Sequence, residues 1–195
     1  MYEKTNKINN NKMKIYYITE NNRKIESARK ICQNTNIEIE QIKIDTPEIQ
    51  GINSAEIAKY SAKFAGERLG KPVVKLDVSF HINALNGFPG PFIKYINQWL
   101  KPEQILKMME GVKDRACYWV DSLAYFNDGQ LEVFTTKEEG TIANEVIGEN
   151  GWGMDKIFIP KNQIKTKAEL SDQERIDICN KGHWEKFIKF IKDNE

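Results

Sequence analysis

Residues 76–95 read LDVSFHINALNGFPGPFIKY, and the rest of the chain is organised around them. Asp77 closes a short apolar run, Val73-Val74-Lys75-Leu76, and a second apolar stretch leads into Asn86-Gly87-Phe88-Pro89-Gly90-Pro91. Glycine admits positive φ and proline locks φ, so this cluster fixes the backbone sharply. The local pattern predicts a strand, a tight turn and a helix start with Pro91 near its first position. A second acid has a similar setting: Asp45-Thr46-Pro47-Glu48-Ile49-Gln50-Gly51 follows another strand-like run.

Outward from this stretch, 195 residues fit one domain or two tightly joined lobes. Hydrophobic and charged contents of 40% and 29% suit an ordinary globular chain able to bury a core. A net charge of +1 gives no global field for nucleic acid or membrane, though a local basic pocket stays compatible with it. Cys32, Cys117 and Cys179 are odd in number and lack metal-ligand spacing, which points to reduced thiols in a cytosol. No apolar run has the length of a membrane span, and the N-terminus lacks the apolar core of a secretory signal. Residues 1–12 are polar and Asn/Lys-rich; 1–13 is read as a disordered extension and 14–195 as one domain.

In chain order, Ile15–Thr19 predicts a strand and Asn22–Gln33 an amphipathic helix. Their junction, Thr19–Lys24, therefore offers a helix N-terminus, whose free N–H groups and partial positive charge suit phosphate. Ile37–Ile44 alternates as a half-buried strand and delivers Asp45 and Glu48 into a turn. Ser54–Leu69 predicts a helix capped by Ser54 and stopped by Gly70. Phe92, Tyr95, Ile96, Trp99 and Leu100 have helical spacing, read as core packing or a dimer surface, and Pro102–Glu110 as a second short helix. Arg115–Phe126 is a long strand, Asn127-Asp128-Gly129 a hairpin turn, Leu131–Thr136 its return and Gly140–Ile147 a further strand. Gly148-Glu149-Asn150-Gly151-Trp152-Gly153-Met154-Asp155 lets backbone approach a ligand closely beside an aromatic face. Ser171 opens the last helix with Glu174 in a capping box, and Trp184, Phe187, Ile188 and Ile191 form its apolar stripe.

NALNGFPGPFIKY, PEIQG and GENGWGMD, in this order, resemble the inosine triphosphate pyrophosphatase family of non-canonical purine NTP pyrophosphatases. The resemblance runs from about Lys14 to about Ile191. It implies an α/β fold in which a mixed twisted sheet with flanking helices forms two lobes around a nucleotide cleft. It implies Mg²⁺, a homodimer and a cytoplasmic enzyme converting NTP and water into NMP and diphosphate. Residue by residue, Thr19, Asn21 and Lys24 stand in the T-G-N-x-x-K triphosphate motif. Glu48 and Asp77 match the metal-binding acids, Asp77 and Lys24 the catalytic pair. Lys94 and Arg175 would reach phosphate. Trp152 would stack on the base, Gly153 and Asp155 would bind substrate, and Asn180 and Lys181 stand where the family has base-reading residues.

The departures are specific. Glu20 replaces the family glycine, Leu76 an acid, Val78 a hydroxyl residue, and Cys179-Asn180-Lys181 the S-H-R triplet. Two hypotheses compete. One is a Mg²⁺-dependent pyrophosphohydrolase acting on ITP, dITP or XTP, with base preference open to a shift through the altered triplet. The other is a nucleotide-binding or regulatory protein with an eroded pocket. Retained Glu48, Asp77, Lys24 and Asp155 favour the first; a purely structural module has no positive feature. His183 is read as a surface or packing residue.

Overall fold

Ten residues, Val73–Ile82, form the central strand β3 of one mixed sheet in the computed structural model, which describes residues 12–47, 49–179 and 181–194. The other strands are β1 (Met13–Ile18), β2 (Ile37–Ile42), β4 (Pro89–Gly90), β5 (Ala116–Asn127), β6 (Gln130–Ile142) and β7 (Phe158–Pro160). The order is β2-β1-β3-β5-β6-β7, with β4 also on β3. β1 runs parallel to β2 and β3; every other pairing is antiparallel. The helices are α1 (Asn22–Cys32), α2 (Ser54–Leu69), α3 (Ile93–Trp99), α4 (Pro102–Met108), α5 (Asp172–Ile178) and α6 (Gly182–Asp193).

The two edges of β3 differ, and that difference makes the cleft. One edge pairs with β5 along all ten residues. On the other edge β1 holds Val73 and Val74, and β4 holds Phe80 and His81. Between them, residues 75–79 have no neighbouring strand among the described residues, so the sheet divides into two lobes there. Asp77 lies in that gap. It is mid-strand rather than at a strand end as expected, because β5 supplies partners well past it.

Three apolar cores hold the lobes. Ile15, Tyr17, Val74, Leu123, Trp184 and Phe187 pack α1 and α6 on one face of the sheet. Ala58, Ala62 and Ala65 of α2 pack on Val73, Ala124 and Phe126. Phe80, Ile82, Ile93, Trp119 and Phe158 fill the second lobe under α3 and α4. Small residues let α2 lie close to the sheet: a Cβ on Gly66 would fall within the ring of Phe126. Gly66→Ala raises helix propensity by ~1 kcal/mol but overpacks a filled core at ~1–3 kcal/mol. A net fall in stability is expected in urea unfolding; a stabilised variant would show that Phe126 has room to move.

Several expected boundaries shift for local reasons. Met13 is the first strand residue, paired with Ile37, so the extension assigned to 1–13 ends before it; residues 1–11 lie outside the described residues. Asn53, not Ser54, caps α2, accepting from Ala55 N at 2.9 Å. Ser54 is buried and its hydroxyl faces that of Ser122 at 3.0 Å. Pro91 precedes α3 by two residues, since the helix starts only after the Phe92 cap. The segments expected as 131–136 and 140–147 are one strand to Ile142, because β5 pairs with it continuously. Asp128 and Gly129, at φ 46° and 82°, make the hairpin turn. The single last helix is two, α5 and α6, with Cys179 ending the first and Gly182 starting the second.

Candidate active site

A cleft of about 1110 Å³ opens at the divided sheet, between the two lobes. Thr19, Asn21, Lys24, Asp77, Lys94, Trp152, Asp155 and Arg175 all line it. Sequence positions 19 to 175 thus converge because β1, β3, α3 and the Gly151 loop all end or bend at the gap.

At one end stands the α1 N-terminus. Asn21 caps it, with Oδ1 accepting from Arg23 N at 3.0 Å and Lys24 N at 3.4 Å, and Thr19 Oγ1 accepts from Asn21 N at 3.1 Å. This cap shapes the loop, but it also occupies two of the amides expected to be free for phosphate. The charge of Lys24 is then the main cationic feature of this end. Burial pulls its pKa down, and Asp77 followed by Asp121 push it back up. Glu20 is exposed at the cleft wall.

Asp77 faces this lysine across the gap. Asp45 and Thr46 line the same wall, and Lys75 Nζ reaches Thr46 Oγ1 at 3.4 Å. Glu48, the other expected metal ligand, lies outside the described residues. Among the described residues no group of three His, Cys, Asp or Glu is arranged to hold a metal by itself. The donor chemistry here is carboxylate and hydroxyl oxygen, which fits a hard cation completed by substrate phosphates and water, as Mg²⁺ prefers. Leu76 and Val78, the changed neighbours of Asp77, line the cleft and pack against the two lobe cores.

At the other end Trp152 is 50% exposed, which excludes a core role. Its backbone N–H donates to Asp155 Oδ2 at 2.9 Å, and Arg23 Nη1 donates to Gly151 O at 3.2 Å, tying the loop to α1 across the cleft. Burial pushes the Asp155 pKa up, partly offset by Lys167. Arg175 pairs with Asp172 within α5. Gly153 is set away from the cleft, its Cα packed against the Asn97 side chain. Lys181 also falls outside the cleft lining and sits 3.7 Å from Glu185. Both were expected to bind substrate; Asn180 lies outside the described residues.

A model of the Ham1 family matches residues 15–186. The chain belongs to the Ham1 family. A protein of Thermococcus kodakarensis named dITP/XTP pyrophosphatase is 35% identical over 183 residues, spanning 93% of this chain and 99% of its own length. One from Methanopyrus kandleri with the same name is 38% identical over 184 residues, at 93% and 98%. The fold agrees with the Ham1 protein of Staphylococcus aureus, at TM-score 0.80 and 24% identity over 93% of this chain and all of that one. The resemblance read from NALNGFPGPFIKY, PEIQG and GENGWGMD therefore holds for the family and the fold.

Asp121, Lys167 and His183 are among the cleft residues to which the sequence reading gave no ligand role. Asp121 is 8% exposed, Lys167 7% and His183 2%. Lys167 Nζ pairs with Glu138 Oε2 at 3.0 Å, and His183 Nδ1 lies 3.7 Å from Asp121 Oδ2. His183 is not on the surface, because Gly182 lets α6 start tight against Thr136 of β6. The available signal was Asp121 itself, the one charge between Tyr118 and Phe126 in an otherwise apolar and small-residue run.

Proposed function

We infer that this Ham1-family chain is an enzyme, a nucleoside triphosphate pyrophosphohydrolase acting on deaminated purine nucleotides of the dITP and XTP kind. The observation that carries this is the joint placement of Lys24 and Asp77 on one cleft, in a chain 35–38% identical to proteins named for that activity. In the reaction the oxygen of water bonds to the α-phosphorus while the bridging oxygen to the β-phosphorus leaves with diphosphate. Asp77 would take the proton from water. Lys24, Lys94 and Arg175 neutralise phosphate oxygens, and fixed charges of this kind act strongly where water is excluded. Asp77 and Glu48 would hold Mg²⁺, which supplies charge neutralisation on the phosphates and lowers the pKa of bound water.

The test is diphosphate release with Mg²⁺ across ribo- and deoxynucleoside triphosphates, including ITP, dITP and XTP. Fast turnover of the deaminated nucleotides supports the inference. Nucleotide binding without turnover by any metal would favour the binding-protein reading, for which the packing of Leu76 and Val78 into the cores is the specific support. Trp152→Ala tests the base end. Loss of stacking is expected to weaken nucleotide affinity about tenfold, from the ~1–3 kcal/mol a stacked base contributes. Titration calorimetry should show this with little change in melting temperature, since the ring is half exposed; unchanged affinity would remove Trp152 from the base site.

A homodimer in the cytoplasm belongs to the same reading. Exposed Phe92, Tyr95 and Trp99 beside the cleft give a second copy an apolar surface to cover. No helix among the described residues is long and apolar enough to cross a membrane. Sedimentation velocity measures the assembly directly.

A further inference from the structure

Of the residues expected to read the base, Lys181 turns to Glu185, outside the cleft lining. Another part of the cleft has polar atoms in want of a ligand. Tyr17 OH, Trp119 Nε1 and His183 Nε2 are buried and have no hydrogen-bond partner among the described residues, and all three residues line the cleft. Leaving such groups unsatisfied costs ~1–3 kcal/mol each, so all three are open to polar partners brought by a ligand.

The state of His183 follows from its neighbours. Nδ1 lies 3.3 Å from Thr136 Oγ1 and 3.7 Å from Asp121 Oδ2. A carboxylate only accepts, so the imidazole is best placed with its proton on Nδ1, leaving the Nε2 lone pair as an acceptor. Burial pushes the His183 pKa down, with Asp121 acting against it, which keeps the ring neutral near pH 7. The indole N–H of Trp119 is a donor only. The cleft lining therefore holds both an acceptor and a donor.

We propose that His183, oriented by Asp121, reads the purine base, accepting from the ring N1–H while Trp119 donates to the neighbouring C6 carbonyl. This rests on the nucleotide reading of the cleft given above. Hypoxanthine, xanthine and guanine carry that N–H and carbonyl side by side. Adenine presents the reverse, an acceptor at N1 and a donor at C6, and meets His183 lone pair to lone pair. Asp121 is a positioning residue: it acts on the base only through the tautomer of His183.

The experiment compares kcat/KM for ITP, XTP, GTP and ATP, and their affinities by calorimetry with Ca²⁺ in place of Mg²⁺, in the wild-type chain and in His183→Phe and Asp121→Asn. The wild-type chain should favour ITP over ATP. His183→Phe should reduce the ITP/ATP ratio about tenfold or more, the loss expected when a polar reader of a substrate N–H is removed. Asp121→Asn can donate an amide proton to Nδ1, which moves the ring proton to Nε2 and turns the acceptor into a donor. The ratio should then swing toward ATP with the GTP/ITP ratio unchanged, a result that general loosening of the pocket does not give. A wild-type chain indifferent to ITP and ATP, or variant ratios within twofold of wild type, overturns the proposal. Absence of all turnover would instead remove the pyrophosphohydrolase reading, while the ITP/ATP affinity ratio would still decide the role of His183.

Discussion

Asp77→Asn is expected to lower the rate of diphosphate release by roughly 10²–10⁴-fold, the range for removing a positioned base or electrostatic group. Three physical effects act together. The side chain keeps its shape but loses the charge that takes a proton from water. The cleft loses the described carboxylate that sits in the gap of the sheet, and the site binds Mg²⁺ more weakly. Lys24 loses the largest influence holding its pKa up against burial, so its positive charge weakens at the phosphate end. The fold should not suffer, because β3 is held by backbone pairing with β5 along all ten of its residues and the amide is isosteric. Steady-state kinetics with a matched melting curve checks this; full activity in the variant would take Asp77 out of the mechanism.

Lys167→Met should have the largest effect on stability. Lys167 and Glu138 are paired at 3.0 Å with side chains 9% and 13% exposed. Burial works against the charge on Lys167, but Glu138 and Asp155 more than offset it, and its pKa lies above the usual lysine value. Burial also pushes the Glu138 pKa up, with Lys167 and a hydrogen bond to Cys179 acting against it; its Oε2 meets Lys167. Removing the lysine strands that carboxylate beside Asp121, and breaking a buried pair from one side costs ~3–5 kcal/mol. For a chain of this size the melting temperature should fall by about 6–20 °C, at ~2–4 °C per kcal/mol. The double variant Lys167→Met with Glu138→Leu should recover most of the loss, since replacing both partners by apolar groups is often neutral. A double variant no better than the single would mean the ammonium of Lys167, set over the Trp119 and Phe158 rings, carries the stability instead.

Local signals were strong where a single segment holds the information. The α2 boundaries, the Asp128-Gly129 turn and the capping box at Ser171 follow from spacing and caps, which depend on neighbours in the chain. Prediction slipped where distant strands decide. β6 runs unbroken through residues 137–139 because β5 lies beside it, although the sequence was read as two strands, 131–136 and 140–147. The last helix breaks into α5 and α6, although its apolar residues could be drawn on one stripe.

The same division holds for the site. From residues alone came the family, the mixed α/β fold, and the expectation that Thr19, Asn21, Lys24, Asp77, Lys94, Trp152, Asp155 and Arg175 share a ligand. These sit in motifs, and a motif is a short stretch of backbone geometry that the sequence carries with it. The tertiary structure alone brought Asp121, Lys167 and His183 to the cleft and left Gly153 and Lys181 outside its lining. These three residues are far apart in the chain. Their role comes from burial: a charge or an imidazole in an apolar setting is held by whatever faces it, and that partner is chosen by the packing of β5, β6 and α6.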